Sequence, residues 1–369
     1  MPTNTAAWLA GRYADLTVGP APYTAPGATD IVIRNRALAV NPLDTIKQST
    51  GDFMYRWLPY PAVLGEDVAG EVVEVGSAVT RFRVGDRVLA YAVGMEKGRD
   101  HAAEGGFQHY TVAREQLAAP LPPDLSFEDA VVLPLGISTA ASALFQRDQL
   151  GLRHPSATPE PTGQVVVVWG GATSVGSNAI QLAVAAGYEV LTTASPHNHD
   201  RMRRLGAALA VDYASPTAVP DLVAAVAGRT VAGVLAVGTG SAEPAVTIAA
   251  ATGAKRVAMA SPSVSFAGIQ GVNVHFVRTM SRLVGGNIAL QARCLVHGIR
   301  ARFVWGSSLM TNEVGPMLWA DYLPTALADG RYQLAPAAEV VGVGLEQVQP
   351  ALDALRRGVS ARKLVVSLV

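Results

Sequence analysis

A glycine-rich turn near the middle of the chain is the feature most able to do chemistry, because it stands between an apolar strand and a helix. The hydrophobic pattern predicts the strand at 164–169, the turn at 170–176 and the helix at 177–186. The N-terminus of such a helix directs unpaired N–H groups at a ligand and favours a pyrophosphate. We therefore predict a dinucleotide site in this turn. Its residues are Gly171, Ala172, Thr173, Ser174, Val175 and Gly176.

The middle of this turn departs from the usual dinucleotide pattern. Thr173 and Ser174 stand where a glycine is common. Their hydroxyl groups could replace a backbone contact to the phosphates or displace the phosphates slightly. The surrounding strands and helices still favour the dinucleotide interpretation.

The end of the next predicted strand, 188–194, bears on the choice of cofactor. An acidic residue at this point normally binds the adenosine ribose of NAD, but here the chain continues with Ser195-Pro196-His197-Asn198. A carboxylate would repel a 2′-phosphate, whereas hydroxyl, amide and imidazole groups can bind one. The sequence therefore favours NADPH over NADH. The candidate contacts are Ser195, His197, Asn198 and Tyr213. For three nearby arginines, a solvated helix face is an equal alternative: Arg201, Arg203 and Arg204.

The elements that must position these residues alternate between strand and helix. Further strands are predicted at 208–213, 231–237 and 255–260, and helices at 199–205, 217–226 and 242–251. Five strands with intervening helices imply a parallel, doubly wound sheet that is covered on both faces.

The first third of the chain has a different pattern, with short β-rich runs separated by Gly and Pro. The strands are predicted at 30–39, 68–76, 87–92 and 108–113, which favours a small, irregular β-barrel. The tail is predicted to contain a helix at 345–357 and a strand at 363–368. We predict a β-barrel domain at 1–130, a dinucleotide-binding domain at 131–310 and a return of the chain to the first domain at 311–369.

Composition limits the classes of partner. The chain has 369 residues, with 29 basic and 29 acidic side chains, so no net charge attracts nucleic acid or anionic lipid. No uninterrupted apolar run of about 18 residues predicts a membrane span. We expect a cytoplasmic protein without nucleic-acid or membrane partners. The apolar strand near 301–305 could pair edge to edge with a second copy, so a homodimer is an expectation.

Five further motifs follow one another along the chain: Asn41-Pro42-Leu43-Asp44 with Lys47, Leu64-Gly65-Glu66-Asp67, Val84-Gly85-Asp86-Arg87-Val88, Gly105-Gly106-Phe107 and Gly176-Ser177-Asn178-Ala179-Ile180-Gln181-Leu182-Ala183. On these motifs the chain resembles the medium-chain dehydrogenase/reductases, particularly their zinc-free quinone and enoyl reductase branch. The resemblance implies a GroES-like β-barrel catalytic domain and a Rossmann domain. Residues 306–316 and 358–363 resemble fungal zinc-binding-type oxidoreductases, and residues 195–198 resemble the NADPH loop of trans-acting polyketide enoyl reductases.

The resemblance also implies roles for individual residues. Asp44 and Lys47 match positions beside the nicotinamide ribose, and Lys47 is the first choice for a polar catalytic group. Thr139 matches a position at the nicotinamide side of the cofactor. Trp305 is expected near the nicotinamide or substrate, and Ser360 and Lys363 near the ribose. Tyr55 and Tyr60 are alternative proton donors, although aromatic packing is the more common role of such a cluster, and water could also donate the proton.

No metal is expected. Zinc-dependent relatives have a histidine where this chain has Glu66, and their cysteine near Asp44 is missing. Cys294 is the only cysteine, which excludes a site of several thiolates. A site from His101, Glu104 and His109 is a minor alternative.

Because we expect no zinc, the class of substrate that can accept the hydride is limited. Zinc stabilises the oxyanion that forms when a plain ketone is reduced. Without it, we expect an enone, an enoyl thioester or a quinone, whose developing charge hydrogen-bond donors can stabilise. The sequence thus predicts an NADPH-dependent reductase, and a role in secondary metabolism is a further expectation. Two alternatives stay open: a zinc-type alcohol dehydrogenase and a catalytically silent NADPH-binding protein.

Overall fold

The computed structural model describes residues 2–264, 266, 271 and 273–368, which group into two compact units. The first unit comprises Met1–Leu135, Phe266–Phe276 and Trp319–Val369, and the second comprises Gly136–Ser265 and Val277–Leu318. The predicted domains include some residues that lie outside the described ones: 1, 265, 267–270, 272 and 369.

Strands and helices are numbered in chain order within the described residues. The strands are β1 (Asn4–Leu9), β2 (Leu16–Ala21), β3 (Asp30–Ala39), β4 (Ala62–Val63), β5 (Asp67–Val75), β6 (Arg87–Tyr91), β7 (Tyr110–Arg114), β8 (Ala118–Pro120), β9 (Val165–Trp169), β10 (Glu189–Thr193), β11 (Leu209–Val211), β12 (Val231–Ala236), β13 (Arg256–Met259), β14 (Arg300–Phe303), β15 (Ala337–Val343) and β16 (Arg362–Ser367). The helices are α1 (Pro42–Thr50), α2 (His101–Glu104), α3 (Phe127–Ala130), α4 (Pro134–Phe145), α5 (Ser174–Ala185), α6 (His199–Arg204), α7 (Ala218–Ala225), α8 (Ala242–Thr252), α9 (Val274–His297), α10 (Val314–Pro316), α11 (Leu323–Ala328) and α12 (Val348–Arg357).

The first unit is built around β3. This strand pairs with β5, β7 and β16 in a sheet of order β15-β16-β3-β5-β6-β8, with β7 off that path. Its Ile31 and Ile33 side chains are fully buried. Because β16 pairs with β3, the tail of the chain lies in this sheet and Lys363 comes close to the start of β5.

The second unit is a parallel sheet of order β11-β10-β9-β12-β13-β14. β9 is buried from Val165 to Val168, which explains its run of valines, since a strand covered on both faces needs no polar alternation. The α/β class and the doubly wound parallel sheet predicted from the sequence are thereby confirmed. The strand predicted near 301–305 is β14, which pairs with β13 at the end of the sheet; its pairing with a second copy stays a prediction.

The stretch Phe127–Phe145, which includes α3 and α4, is long and apolar enough for a membrane span by composition. Within its most apolar window, 78% is buried inside the protein. Such burial is typical of a core helix, whose apolar side chains pack against other elements.

Candidate active site

The glycine-rich turn has the close packing that a dinucleotide cradle requires. Gly170 follows β9 with φ +91°, in the left-handed region that favours glycine. A Cβ atom on Gly171 would lie 2.2 Å from Thr192 Oγ1, and one on Gly176 would lie 2.2 Å from the Gly170 carbonyl oxygen. Any larger residue would therefore displace the turn from the end of β9.

Helix α5 begins at Ser174, earlier than the predicted residue 177, because Thr173 caps it. The Thr173 hydroxyl oxygen accepts a hydrogen bond from Gly176 N at 3.0 Å and donates one to the Gly170 carbonyl at 2.8 Å. The Thr173 hydroxyl group thus makes both of these hydrogen bonds within the turn. Ser174 then lies at the first position of the helix, where backbone N–H groups have no partner within the helix.

The Ser174 hydroxyl fits a phosphate group at the N-terminus of α5. Its oxygen is buried and has no hydrogen-bond partner among the described residues. A buried hydroxyl without a partner is costly, and an anion at the helix N-terminus would satisfy it together with the free N–H groups. The turn residues therefore fit the pyrophosphate of a nicotinamide dinucleotide.

The structure brings together the residues predicted at the adenosine end. Ser195 Oγ lies 3.5 Å from Tyr213 Oη, and Asn198 Nδ2 lies 3.1 Å from a ring nitrogen of His197. Tyr213 is exposed and Asn198 is buried. The nearest carboxyl along the chain, Asp200, pairs with Arg203 at 2.7 Å. The four predicted residues thus place hydroxyl, amide and imidazole groups near the C-terminal end of β10.

Thr139 and the loop that contains Trp305, both implied by the resemblance, lie close together in the second unit. Thr139 is buried on α4, and a Cβ atom on Gly306 would lie 2.4 Å from its Oγ1 atom. The Ser142 hydroxyl donates to the Gly306 carbonyl at 3.0 Å. Glycine at 306 therefore allows the loop that contains Trp305 to lie against Thr139.

In the first unit, Asp67 is the centre of a buried polar cluster. Its Oδ2 atom lies 2.5 Å from Lys363 Nζ and accepts a hydrogen bond from Asn41 Nδ2 at 2.7 Å. Its Oδ1 atom accepts from the Leu135 N–H at 2.6 Å. Asp67 is fully buried and Lys363 is nearly so. Sequence reasoning did not select Asp67 and Asn41 as site residues, although both lie in the family motifs.

Asp44 lies beside this cluster at the start of α1. Its Oδ2 atom accepts a hydrogen bond from the Asn41 N–H at 2.7 Å, while Oδ1 has no partner among the described residues. Burial raises the pKa of Asp44 to about 8, and the neighbouring Asp67 carboxyl acts in the same direction. Burial therefore favours the protonated form of the Asp44 carboxyl.

Glu66 is a second buried carboxyl in the first unit. The side chain is fully buried, and neither oxygen has a hydrogen-bond partner among the described residues. Burial raises its pKa well above the usual value, and the carboxyls of Asp44, Glu96 and Asp67 raise it further. A neutral carboxylic acid is a poor metal ligand but a good hydrogen-bond donor.

Lys47 is fully buried on α1 and makes local contacts. Its Nζ atom lies 2.8 Å from Asp52 Oδ1, donates to the Tyr55 carbonyl at 2.8 Å and lies 4.2 Å from the centre of the Tyr60 ring. Tyr55 is also buried, and burial with the nearby Glu66 carboxyl raises the pKa of its phenol. Ser360 lies on the surface. Roles for these residues in catalysis or cofactor binding stay predictions.

Comparison with known proteins defines the class of protein. The model of the alcohol dehydrogenase GroES-like domain matches residues 27–123. A dehydrogenase of Monascus ruber, pigH, is 49% identical over 100% of both chains. The trans-enoyl reductase himH of Aspergillus japonicus is 38% identical over 99% of this chain and 97% of its own. The chain therefore belongs to the medium-chain dehydrogenase/reductase family, as the sequence predicted.

Solved structures agree on the fold. The crystal structure of CurK enoyl reductase covers 100% of both chains with a TM-score of 0.74 and 18% identity. The predicted combination of a GroES-like domain and a Rossmann-like sheet is confirmed. The protein is thus an oxidoreductase of this family, whose fold implies a nicotinamide cofactor.

The described residues contain no group of three or more His, Cys, Asp or Glu side chains placed to hold a metal ion. The sequence alternative of His101, Glu104 and His109 gains no support, since Glu104 pairs with Arg99 at 2.6 Å. Zinc independence stays a prediction.

Proposed function

We propose that this protein uses NADPH, without zinc, to reduce a carbon–carbon double bond conjugated to a carbonyl group. The observation that carries the proposal is Glu66, a fully buried carboxyl without a partner among the described residues, at the position where zinc-dependent relatives have a ligand. The trans-enoyl reductase himH, at 38% identity, also supports this reaction class. Quinone reduction is the second candidate from the sequence.

Each part of the chain has a distinct task in this proposal. NADPH supplies a hydride when it is bound. The turn at 170–176 and α5 would hold the pyrophosphate, and Thr139 with the Trp305 loop would position the nicotinamide end. A substrate already polarised by conjugation needs hydrogen-bond donors rather than a Lewis acid. Lys47 or Tyr55 would supply the proton, or would position the water that does.

The proposal is tested with a panel of acceptors, followed at the NADPH absorbance. The panel contains a conjugated enone, a crotonyl thioester, a quinone and the saturated ketone matched to the enone. NADPH should be consumed with the enone or the thioester and not with the saturated ketone, in the presence of a chelator. Stoichiometric zinc with alcohol oxidation would favour the zinc-type alternative, and NADPH binding without any turnover would favour the silent one.

Preference for NADPH is tested by Ser195→Asp. The new carboxylate would stand beside Tyr213 and repel a 2′-phosphate. We expect the Kd for NADPH to rise roughly tenfold or more, with little change for NADH, since each tenfold corresponds to about 1.4 kcal/mol. Binding is measured by the fluorescence of the reduced cofactor. The matched control is Ser156→Asp on an exposed serine. Equal losses for both cofactors would argue against a phosphate at this position.

A further inference from the structure

Helix α9 carries a row of apolar side chains that the described part of the chain leaves largely uncovered. Another face of the helix packs into the core of the second unit through Leu290 and Cys294. The uncovered row has four members, which are 60%, 53%, 66% and 82% exposed in the order Val277, Val284, Ile288 and Leu295. With 3.6 residues per turn, they fall within about 40° of one another around the helix axis. We call them the α9 stripe. An exposed apolar row of this kind marks an interaction site.

The spacing of the α9 stripe is that of a helix that pairs with another helix. Its members, at 277, 284, 288 and 295, are seven, four and seven residues apart, as in the a and d positions of a two-helix seam. The same spacings are read in both directions along the helix. Two antiparallel copies can therefore place Val277 opposite the partner's Leu295 and Val284 opposite the partner's Ile288. A Cβ atom on Gly285, beside the midpoint, would have no neighbour within 4 Å, so the surface is open where the helices would meet.

The arginines of α9 lie away from the stripe. Arg278, Arg282 and Arg293 are exposed and stand about 100°, 140° and 160° around the helix axis from the centre of the stripe. The helix contains no Asp or Glu. The face that a partner would meet is therefore apolar and uncharged, which favours a matching apolar face over an acidic or a basic one. In a pair of α9 helices the arginines of both copies would lie outside the contact, where water and salt weaken their repulsion.

The outer edge of the parallel sheet is closed to a second copy. The Arg300 N–H donates a hydrogen bond to the carbonyl just before β13 at 2.8 Å, so the next residues in alternation, Ala301 and Phe303, face the outer edge of β14. Their carbonyl oxygens already accept hydrogen bonds from the side-chain amides of Gln291 at 3.3 Å and Gln149 at 3.1 Å. Edge-to-edge pairing at 301–305 would have to break both bonds. The α9 stripe is thus the better surface for self-association.

We propose that two copies of this chain associate through their α9 stripes, as an antiparallel pair of helices related by a two-fold axis. A two-fold dimer uses the same patch on both copies, and the uncharged stripe with its symmetric spacing is complementary to itself. The stripe is about 27 Å long and one helix, about 10 Å, wide. This contact is smaller than the roughly 800 Å² per partner of a standard interface, so we expect a reversible dimer with a Kd in the micromolar range.

The first test is sedimentation of the full chain over a range of concentrations. Wild type should pass from monomer to dimer, and Ile288→Glu and Leu295→Glu should each raise the dimer Kd tenfold or more, because a buried carboxylate would have no partner. The matched control is Val84→Glu, at a valine that is 62% exposed in the first unit, and it should keep the wild-type Kd. Circular dichroism of each variant verifies that the fold is retained.

The second test reports a gain of linkage, so it does not depend on disrupting the protein. Val277→Cys/Leu295→Cys should form a disulfide-linked dimer on mild oxidation, because the two positions are about 27 Å apart within one helix and cannot bridge there. The control, Val277→Cys alone, should stay unlinked, since an antiparallel pair separates the two copies of residue 277.

Several results would overturn the proposal. They are a wild-type chain that stays monomeric up to about 100 μM, well above the Kd expected of so small a contact, a dimer that both glutamate variants leave intact, and no linked dimer from the double cysteine variant. A monomer that binds phosphatidylserine vesicles through Ile288 would assign the stripe to a membrane and would also overturn it.

Discussion

Replacing Asp67 by alanine is expected to lower the free energy of unfolding by about 3–5 kcal/mol, the cost of leaving a buried charge without its partner. Lys363 would keep a buried ammonium whose carboxylate, 2.5 Å away, is gone. The Leu135 N–H and the Asn41 amide would lose an acceptor as well. The loss is measured by denaturant unfolding of the full chain.

The control for Asp67 is an exposed ion pair. Asp329 lies 2.9 Å from Arg331 with its side chain 52% exposed, so Asp329→Ala should change stability by less than about 1 kcal/mol. The double variant Asp67→Ala/Lys363→Met should recover part of the loss, because it removes the unpaired ammonium. Similar losses for Asp67→Ala and Asp329→Ala would contradict a structural role for the buried cluster.

Glu66→Gln should make the protein more stable at neutral pH and flatten the pH dependence of its stability. The folded pKa of Glu66 lies well above its usual value because of burial, so the folded state keeps a proton that the unfolded chain releases. Stability therefore falls as pH rises from the unfolded pKa, about 4.3, towards the folded one, by up to about 1.4 kcal/mol per pH unit. Glutamine cannot ionise, so the variant lacks this decline.

The measurement for Glu66 is unfolding in denaturant at several values between about pH 5 and pH 8. Asp44, with its pKa raised to about 8, should maintain a residual decline in the variant. The matched control Glu160→Gln, at an exposed glutamate, should keep the wild-type slope. If Glu66→Gln were less stable and had the same slope as wild type, Glu66 would have to be ionised in the folded protein.

Local patterns were enough to predict the parallel sheet but not every helix start. Runs of valine, as in β9, indicate a buried strand directly. Helix α5 begins at Ser174 because the Thr173 hydroxyl caps it. The glycine spacing instead predicts a turn that continues to residue 176. The sequence analysis did not predict helix α9, because Gly285 and Gly286 within it have low helix propensity.

Local patterns could predict less of the site, since its cluster depends on contacts distant in sequence. Lys363 meets Asp67 only because β16 pairs with β3, and no local signal reports that pairing. The resemblance selected Asp44 and Lys363, which the structure places near one another. It could not indicate that the pKa values of Asp44 and Glu66 are raised, because that shift depends on burial in the folded chain.

The most direct test of the proposed reaction follows the hydride itself. NADPH deuterated at C4 on the transferred face is incubated with a conjugated enone and the chelator-treated protein, and the product is analysed by NMR and mass spectrometry. We predict a saturated ketone with deuterium at the β-carbon. Deuterium at the carbonyl carbon of an alcohol product, or activity that returns only with added zinc, would contradict the account.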